Sequence, residues 1–290
     1  MGTRAEGNIR YIFAPSYSPE NWPGHLDTYQ CVAINSVMDI SVCREVLIHL
    51  LELCELFHVH REEMPRYREM LDHLPVYLTD DLGALKEWAW DGLPERFDHR
   101  HLSHLYGAWP GDEIRQDLDE ELAEAALLAN RKRAQGNASI HGIMHRALAA
   151  ARLRDRFLAG RNLKQVLDQG YLNPGSMMTN HNPYRIYCPD ACGSLPVLVI
   201  EMLMYSRPGV IELLPALPHG LGAGVLRGVQ SRSRAVIEEL RWDVGAGEVF
   251  LSLRSLIDQQ IEVRPPASGL EKTVLVDLKK GVPWSRMFGL

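Results

Sequence analysis

The chain has 290 residues, 46% of them hydrophobic, and its 37 acidic and 31 basic side chains leave a formal charge of −6. That length admits one large domain or two smaller ones with a real core, and the interspersed charges form no broad basic face, which argues against nucleic acid as a partner. No apolar run approaches the ~20 residues of a membrane span, and the start, Met1-Gly2-Thr3-Arg4-Ala5-Glu6-Gly7, is not that of a signal peptide. Cys31, Cys43, Cys54, Cys188 and Cys192 are an odd and sparse set. Reduced thiols are therefore expected rather than a disulfide framework, which fits the cytoplasm.

From about Leu26 to His60 apolar residues recur at helical spacing without Gly or Pro, a stretch too long for one average helix and best divided near Met38-Asp39. Arg61 to His73 predicts a further helix and Ala84 to Ala89 a short helical piece. Asp117 to Arg133 is amphipathic, with Asp117, Asp119, Glu120 and Glu121 at its start and Arg131, Lys132 and Arg133 at its end, the polarity the helix dipole favours. Ile140 to Arg154, Phe157 to Gln169 and Gly193 to Tyr205 continue the series, with Gly170 as a C-terminal cap. After Pro208 the pattern becomes short, β-branched and partly alternating: Val210 to Leu214, Gly224 to Val229, Arg234 to Trp242, Glu248 to Arg254 and Gln259 to Val263. The expected fold is mainly α with a C-terminal β domain. The switch near Ser206-Arg207-Pro208-Gly209 divides the chain into residues 1–207 and 208–290, with no internal repeat or low-complexity tract.

Phe97 to Gly111 packs His99, Arg100, His101 and His104 beside Tyr106 and Trp109, more polar chemistry than a connecting loop needs. Ser18-Pro19-Glu20-Asn21-Trp22-Pro23-Gly24 sets a carboxylate beside an indole in a loop bounded by Pro and Gly. An acid, an aromatic platform and a hydrogen-bonding His/Arg set point to sugar chemistry. Glu20 has the stiff backbone and apolar neighbours that suit a general acid; a solvated surface glutamate is the alternative. The histidines are too irregularly spaced for a zinc knuckle and lack its paired cysteines, although His99 and His101 could chelate from a strand. Two further readings stay open for them, hydrogen bonding to ligand hydroxyls and a capped turn with partly buried rings.

His141 and His145 stand at i and i+4, but Gly142 occupies the place where a metalloprotease helix carries Glu, so the pair is read as packing or supporting residues. Cys188-Pro189-Asp190-Ala191-Cys192 has a three-residue spacer and no second pair, which makes it weak as a redox or metal motif. Within it, Asp190 is either the cap of the following helix or a carboxylate at a helix mouth facing a cavity.

In this order the segments resemble glycoside hydrolase family 95, the inverting α-L-fucosidase family with α-L-galactosidase relatives. The resemblance runs through Ser18-Pro19-Glu20-Asn21, Met38-Asp39 with Arg44-Glu45, Leu85-Lys86-Glu87-Trp88, His99-Arg100-His101-Leu102-Ser103-His104-Leu105-Tyr106-Gly107, Glu201-Met202-Leu203 and Leu213-Leu214-Pro215-Ala216-Leu217-Pro218, and extends from Pro15 to about Trp242. It implies a partial (α/α)6 barrel followed by a β-sandwich-like domain, an oligosaccharide or glycoconjugate substrate, and neither cofactor nor metal. Glu20 then looks like the general acid. Arg100 and His101 look like sugar-contacting residues, and Trp22 and His104 join them as candidate substrate contacts. Asp190 falls where the family carries the aspartate of its Asp-Gly-Asn-Phe-Gly motif, which polarises a water-activating asparagine. Inversion requires such an opposed acid and water activator with room between them.

The sequence also departs from that pattern. Asp190-Ala191-Cys192-Gly193 replaces the aspartate motif, and Ala138-Ser139-Ile140-His141-Gly142-Ile143-Met144-His145 stands in place of the family's Gly-Trp-Ser-x-x-Trp-Lys helix start. The loss of an aromatic and a lysine implies a different sugar specificity. The family's N-terminal β domain and first barrel helices, with the activating asparagine, precede the Ser-Pro-Glu-Asn loop, and this chain begins almost at that loop. The expectation is the C-terminal part of an inverting exo-glycosidase. The rival readings are a non-catalytic or degenerate carbohydrate-binding homologue and, more weakly, a His-dependent metal hydrolase.

Overall fold

The computed structural model describes residues 11–24, 32–133, 139–173, 178–267, 269 and 272–290. Among them are six α-helices: α1 (Val37–Phe57), α2 (Met64–Asp72), α3 (Glu120–Lys132), α4 (Ile140–Arg152), α5 (Arg156–Asp168) and α6 (Pro189–Leu203). Several of their ends are fixed by local chemistry. The Asp119 carboxylate accepts a hydrogen bond from the Leu122 amide at the start of α3, and Asp155 accepts from Phe157 and Leu158 at the start of α5, satisfying amides that have no partner inside the helix. Gly170, at φ +79°, takes the chain out of α5 in the left-handed conformation that only glycine adopts without cost.

Three expected helical features differ. Residues 32–36 are not helical: Ala33 bridges Ser16, Ser36 bridges Trp88, and Asn35, at φ +53°, accepts from the Phe13 amide and donates to the Ala89 carbonyl through its side chain. The remainder of the helix expected before Met38, residues 26–31, lies outside the described residues. Ala84 to Ala89 is extended: Leu85 bridges Thr79, and Ala84, Leu85, Trp88 and Ala89 are buried in the core around α1 and α3. Their apolar spacing records burial of an extended segment, not one helical face. Finally, α6 starts at Pro189, so Asp190 lies in its first turn rather than capping it, and Cys188 holds the cap position.

α4 packs against both α5 and α6. It is buried along most of its length through Ile140, Ile143, Met144, Ala147, Leu148, Ala150 and Ala151, and the alanines let its neighbours approach closely. The strands are β1 (Asn180–Asn182), β2 (Arg185–Tyr187), β3 (Met204–Arg207), β4 (Val210–Leu213), β5 (Ala223–Leu226), β6 (Val229–Gln230), β7 (Ala235–Asp243), β8 (Glu248–Ser255), β9 (Gln259–Arg264), β10 (Val274–Leu278) and β11 (Pro283–Gly289). β1 and β2 form a hairpin. A four-stranded sheet runs β10-β9-β4-β3, with β4 and β9 parallel, and a five-stranded sheet runs β11-β8-β7-β5, with β6 also on β7. Ile211, Leu213, Ile261 and Val263 of the first sheet share one core with Ile237, Leu240, Val249, Leu251, Leu253 and Phe288 of the second.

β3 is a strand that the sequence pattern assigns to the end of a helix. Met204 and Tyr205 continue the apolar run of α6, but Pro208-Gly209, with Gly209 at φ +76°, makes a tight turn that folds β3 back onto β4. Charged side chains in the turns before α3 and after α4 are tied to the four-stranded sheet at this junction. Asp117 accepts from Arg207 and Arg264 at 2.9 and 2.8 Å, and Arg154 reaches Glu212 at 2.8 Å. Among the described residues no helix is long and apolar enough to cross a membrane.

Candidate active site

Ser18 and Asn21 bracket Glu20, and both donate to one carboxylate beneath them, Glu87: Ser18 Oγ at 2.6 Å to Oε1 and Asn21 Nδ2 at 2.6 Å to Oε2. Asn21 also donates to the Arg96 carbonyl at 3.0 Å, and Ser103 Oγ donates to the Pro19 carbonyl. Glu87 is 0% exposed and Arg133, 1% exposed, donates to its Oε2 at 2.7 Å. Burial alone would raise the Glu87 carboxyl, but the Arg133 charge and the Ser18 hydrogen bond outweigh it and hold the group below its ordinary range. The loop is thus fastened from below on both sides of Glu20, whose side chain remains 47% exposed.

The His-rich segment meets Glu20 from the other side. Arg100 Nη2 donates to Glu20 Oε2, and His101 Nε2 lies 3.5 Å from the same oxygen. Burial, then the neighbouring His141 and Arg100, pushes the His101 pKa down to about 3, so the ring faces Glu20 as a neutral imidazole, not as an ion-pair partner. His99 is likewise held neutral, at about 4, by burial and by Arg100 and Arg133. The rings form a row, with centroids 5.3 Å apart for His99 and His101 and 4.6 Å apart for His101 and His141. Gly142 makes this approach possible: a Cβ there would sit 2.4 Å from the Arg100 carbonyl oxygen.

The remaining sequence candidates occupy different positions. His104 is 1% exposed and lies 3.1 Å from Arg133, in the floor beneath the loop, with its pKa pushed to about 3 by burial and that guanidinium. Trp22 is half-buried, with the Arg96 guanidinium 3.7 Å over its ring and the edge of His99 at 6.1 Å. Asp190 is exposed, and its charge acts on His141 more strongly than that of any other ionisable neighbour. His145, one turn beyond His141, packs edge-on to Trp109 at 5.8 Å. Among the described residues no group of three or more His, Cys, Asp or Glu has the geometry to hold a metal ion.

Several residues here have no signature in the sequence. The Glu87–Arg133 pair joins positions from two distant segments, and no local spacing announces it. Glu95 is a second buried carboxyl in the same floor; it accepts from the Glu87 amide at 2.9 Å, and burial lifts its pKa to about 7. His141 joins the row of rings through His101, and His145 packs on Trp109, with 6.5 Å between the His141 and His145 centroids.

An acid on a tethered loop beside a guanidinium and neutral imidazoles is a place where a polyhydroxylated ligand can be held and protonated. Residues 3–203 match the model of the glycosyl hydrolase family 95 catalytic domain, and the chain belongs to that family. Among curated proteins it is similar to Alpha-L-fucosidase 2 of Arabidopsis thaliana, with 28% identity over 244 residues. The match covers 80% of this chain but 28% of that relative, so the chain spans less than a third of the relative's length.

Proposed function

We propose that the chain supplies the general acid and sugar contacts of an inverting exo-glycosidase of the α-L-fucosidase type, acting on terminal sugars of oligosaccharides or glycoconjugates. In this reading residues 1–207 belong to an (α/α)6-barrel catalytic unit and residues 208–290 to its β domain. The observation that carries the reading is the meeting of Glu20 with Arg100 and His101 across 80 positions of sequence, in a chain of this family. Glu20 protonates the departing glycosidic oxygen, while water attacks the anomeric carbon from the opposite face and Asp190 supports its activation. Arg100 and neutral His101 hold sugar hydroxyls, the imidazole being able both to donate and to accept. Trp22 offers the part of its ring that Arg96 leaves open.

A second reading, sugar binding without turnover, is favoured by the Arg100 contact, which engages the proposed acid directly. Incubation with fucosyl- and galactosyl-terminated oligosaccharides, followed by NMR of the first anomer released, separates the two. Release of the inverted anomer supports the glycosidase, release of the retained anomer contradicts the mechanism, and binding without release supports the second reading.

A further inference from the structure

We propose that the cleft between α4 and α5 is a second ligand site, which takes a sugar carrying one tetrahedral oxyanion, a phosphate or sulfate ester. Its lining includes none of Glu20, Arg100, His101 and Asp190, and the proposal does not depend on the glycosidase reading above. The cleft encloses about 430 Å³, within the size range of small-molecule sites. Arg161, Asn162, Gln165 and Asp168 line it from α5, where they recur at the spacing of one helix face, and Gln169 follows at the helix end. Arg146 lines it from α4, the helix against which α5 packs.

The charge in the cleft is positive. Lys164 and Asp168 pair with each other and cancel, so the guanidiniums of Arg146 and Arg161 set its sign. Arg146 is 5% exposed. Burial, then the positive charges of Arg161 and Arg133, brings its pKa down to about 10, so it stays a cation at neutral pH in surroundings that oppose its charge. An anion seated between Arg146 and Arg161 reverses that opposition. Asn162 adds an independent observation: it lines the cleft, is 1% exposed, and its Nδ2 has no hydrogen-bond partner among the described residues. A buried donor of this kind is destabilising until an acceptor reaches it, and a charged oxygen is a strong acceptor.

These features select the ligand. Arg146, Arg161 and Asn162 are three donors, and a phosphate or sulfate ester presents three terminal oxygens where a carboxylate presents two. Gln165 and Gln169 line the rest of the cleft with amides that can both donate and accept, as sugar hydroxyls require. A free ion would leave most of the volume unfilled, and a long polyanion is disfavoured by the net charge of −6.

Calorimetric titration of the full chain with glucose 6-phosphate, glucose 6-sulfate, glucose and inorganic phosphate tests the assignment. At least one ester should bind at a single site, about tenfold or more tighter than inorganic phosphate, with no binding of glucose and with affinity that falls as salt is added. Which ester binds identifies the oxyanion. Arg161 is exposed at the rim and can be replaced without disturbing the core. Arg161→Gln should weaken ester binding by about 10–100-fold, the loss of one charged hydrogen bond, and Arg161→Lys by less. Arg100→Gln, at the Glu20 cluster, should leave it unchanged. Binding of neither ester, undiminished binding in Arg161→Gln, equal affinity for the ester and inorganic phosphate, or loss of binding in Arg100→Gln overturns the assignment.

Discussion

Arg133 and Glu87 meet at 2.7 Å with both side chains closed off from solvent, directly below the loop that carries Glu20. The carboxylate accepts from Ser18, Asn21 and Arg133, so removing the guanidinium leaves a buried charge with only neutral donors. Arg133→Met should cost about 3–5 kcal/mol, the range for breaking a buried pair by deleting one partner. Urea unfolding at neutral pH measures it, and a loss below about 1 kcal/mol would show that the pair does not anchor the loop.

Glu20→Gln keeps the shape of the side chain and removes its proton. Turnover of natural glycosides should fall by about 10²–10⁴-fold, with much less change in sugar binding. An aryl glycoside with a good leaving group needs less protonation and should lose less. Equal activity of variant and parent on both substrates would remove Glu20 from the acid role.

The buried floor of the site gives stability a window in pH. His104, at about 3 in the folded chain, protonates near its ordinary 6.5 once unfolded, so the unfolded chain binds more protons and stability declines as pH falls below about 6.5. Glu95 has the opposite sign. Its folded value of about 7 exceeds its ordinary 4.5, so its contribution is complete below 4.5 and is lost as pH rises through about 7. Glu95→Gln should therefore raise stability relative to the parent at about pH 8, with a smaller gain or a loss at about pH 5. Thermal unfolding at the two pH values compares them; a gain that is the same at both would exclude titration of Glu95 as the cause.

Gly142→Ala places a methyl group 2.4 Å from the Arg100 carbonyl oxygen, a clash with backbone that no side-chain rotation relieves. The segment Arg100-His101 must then lift from α4. A destabilisation of about 1–3 kcal/mol is expected, as for other overpacked sites. Activity should fall further than stability alone explains, because His101 and His141 move apart. A variant with parental melting behaviour and parental kcat/KM would mean that the contact is not structurally strict.

Much of this architecture is legible in the sequence where its causes are local. The α3 helix announces itself through Asp119 and its charged ends, α5 through Gly170, and the long strands β7 and β8 through their alternating burial. The failures have non-local causes. Residues 84–89 carry helical apolar spacing but are held extended by bridges from Leu85 to Thr79 and from Trp88 to Ser36. The β1–β2 hairpin is too polar and short to be read as strands, with the exposed run Tyr184-Arg185-Ile186-Tyr187 held by pairing across its turn. The Glu20, Arg100 and His101 set can be picked out from residue type, whereas the role of Glu87 and the burial of His104 depend on Arg133, which arrives from the end of α3.

α6 carries Asp190 in its first turn and passes into β3 with no intervening loop, Leu203 ending the helix and Met204 beginning the strand, both in the core shared by the two sheets. Near that end Glu201 grips Arg152 of α4 at 2.6 Å and Arg232 at 3.1 Å. The helix is therefore a strut with one foot among the sheets and the other at Asp190, the carboxylate proposed to support water activation. Substitutions deep in the sheet core would be felt at Asp190 as a change of angle, which makes the β region the mounting of the proposed chemistry rather than an appendage to it.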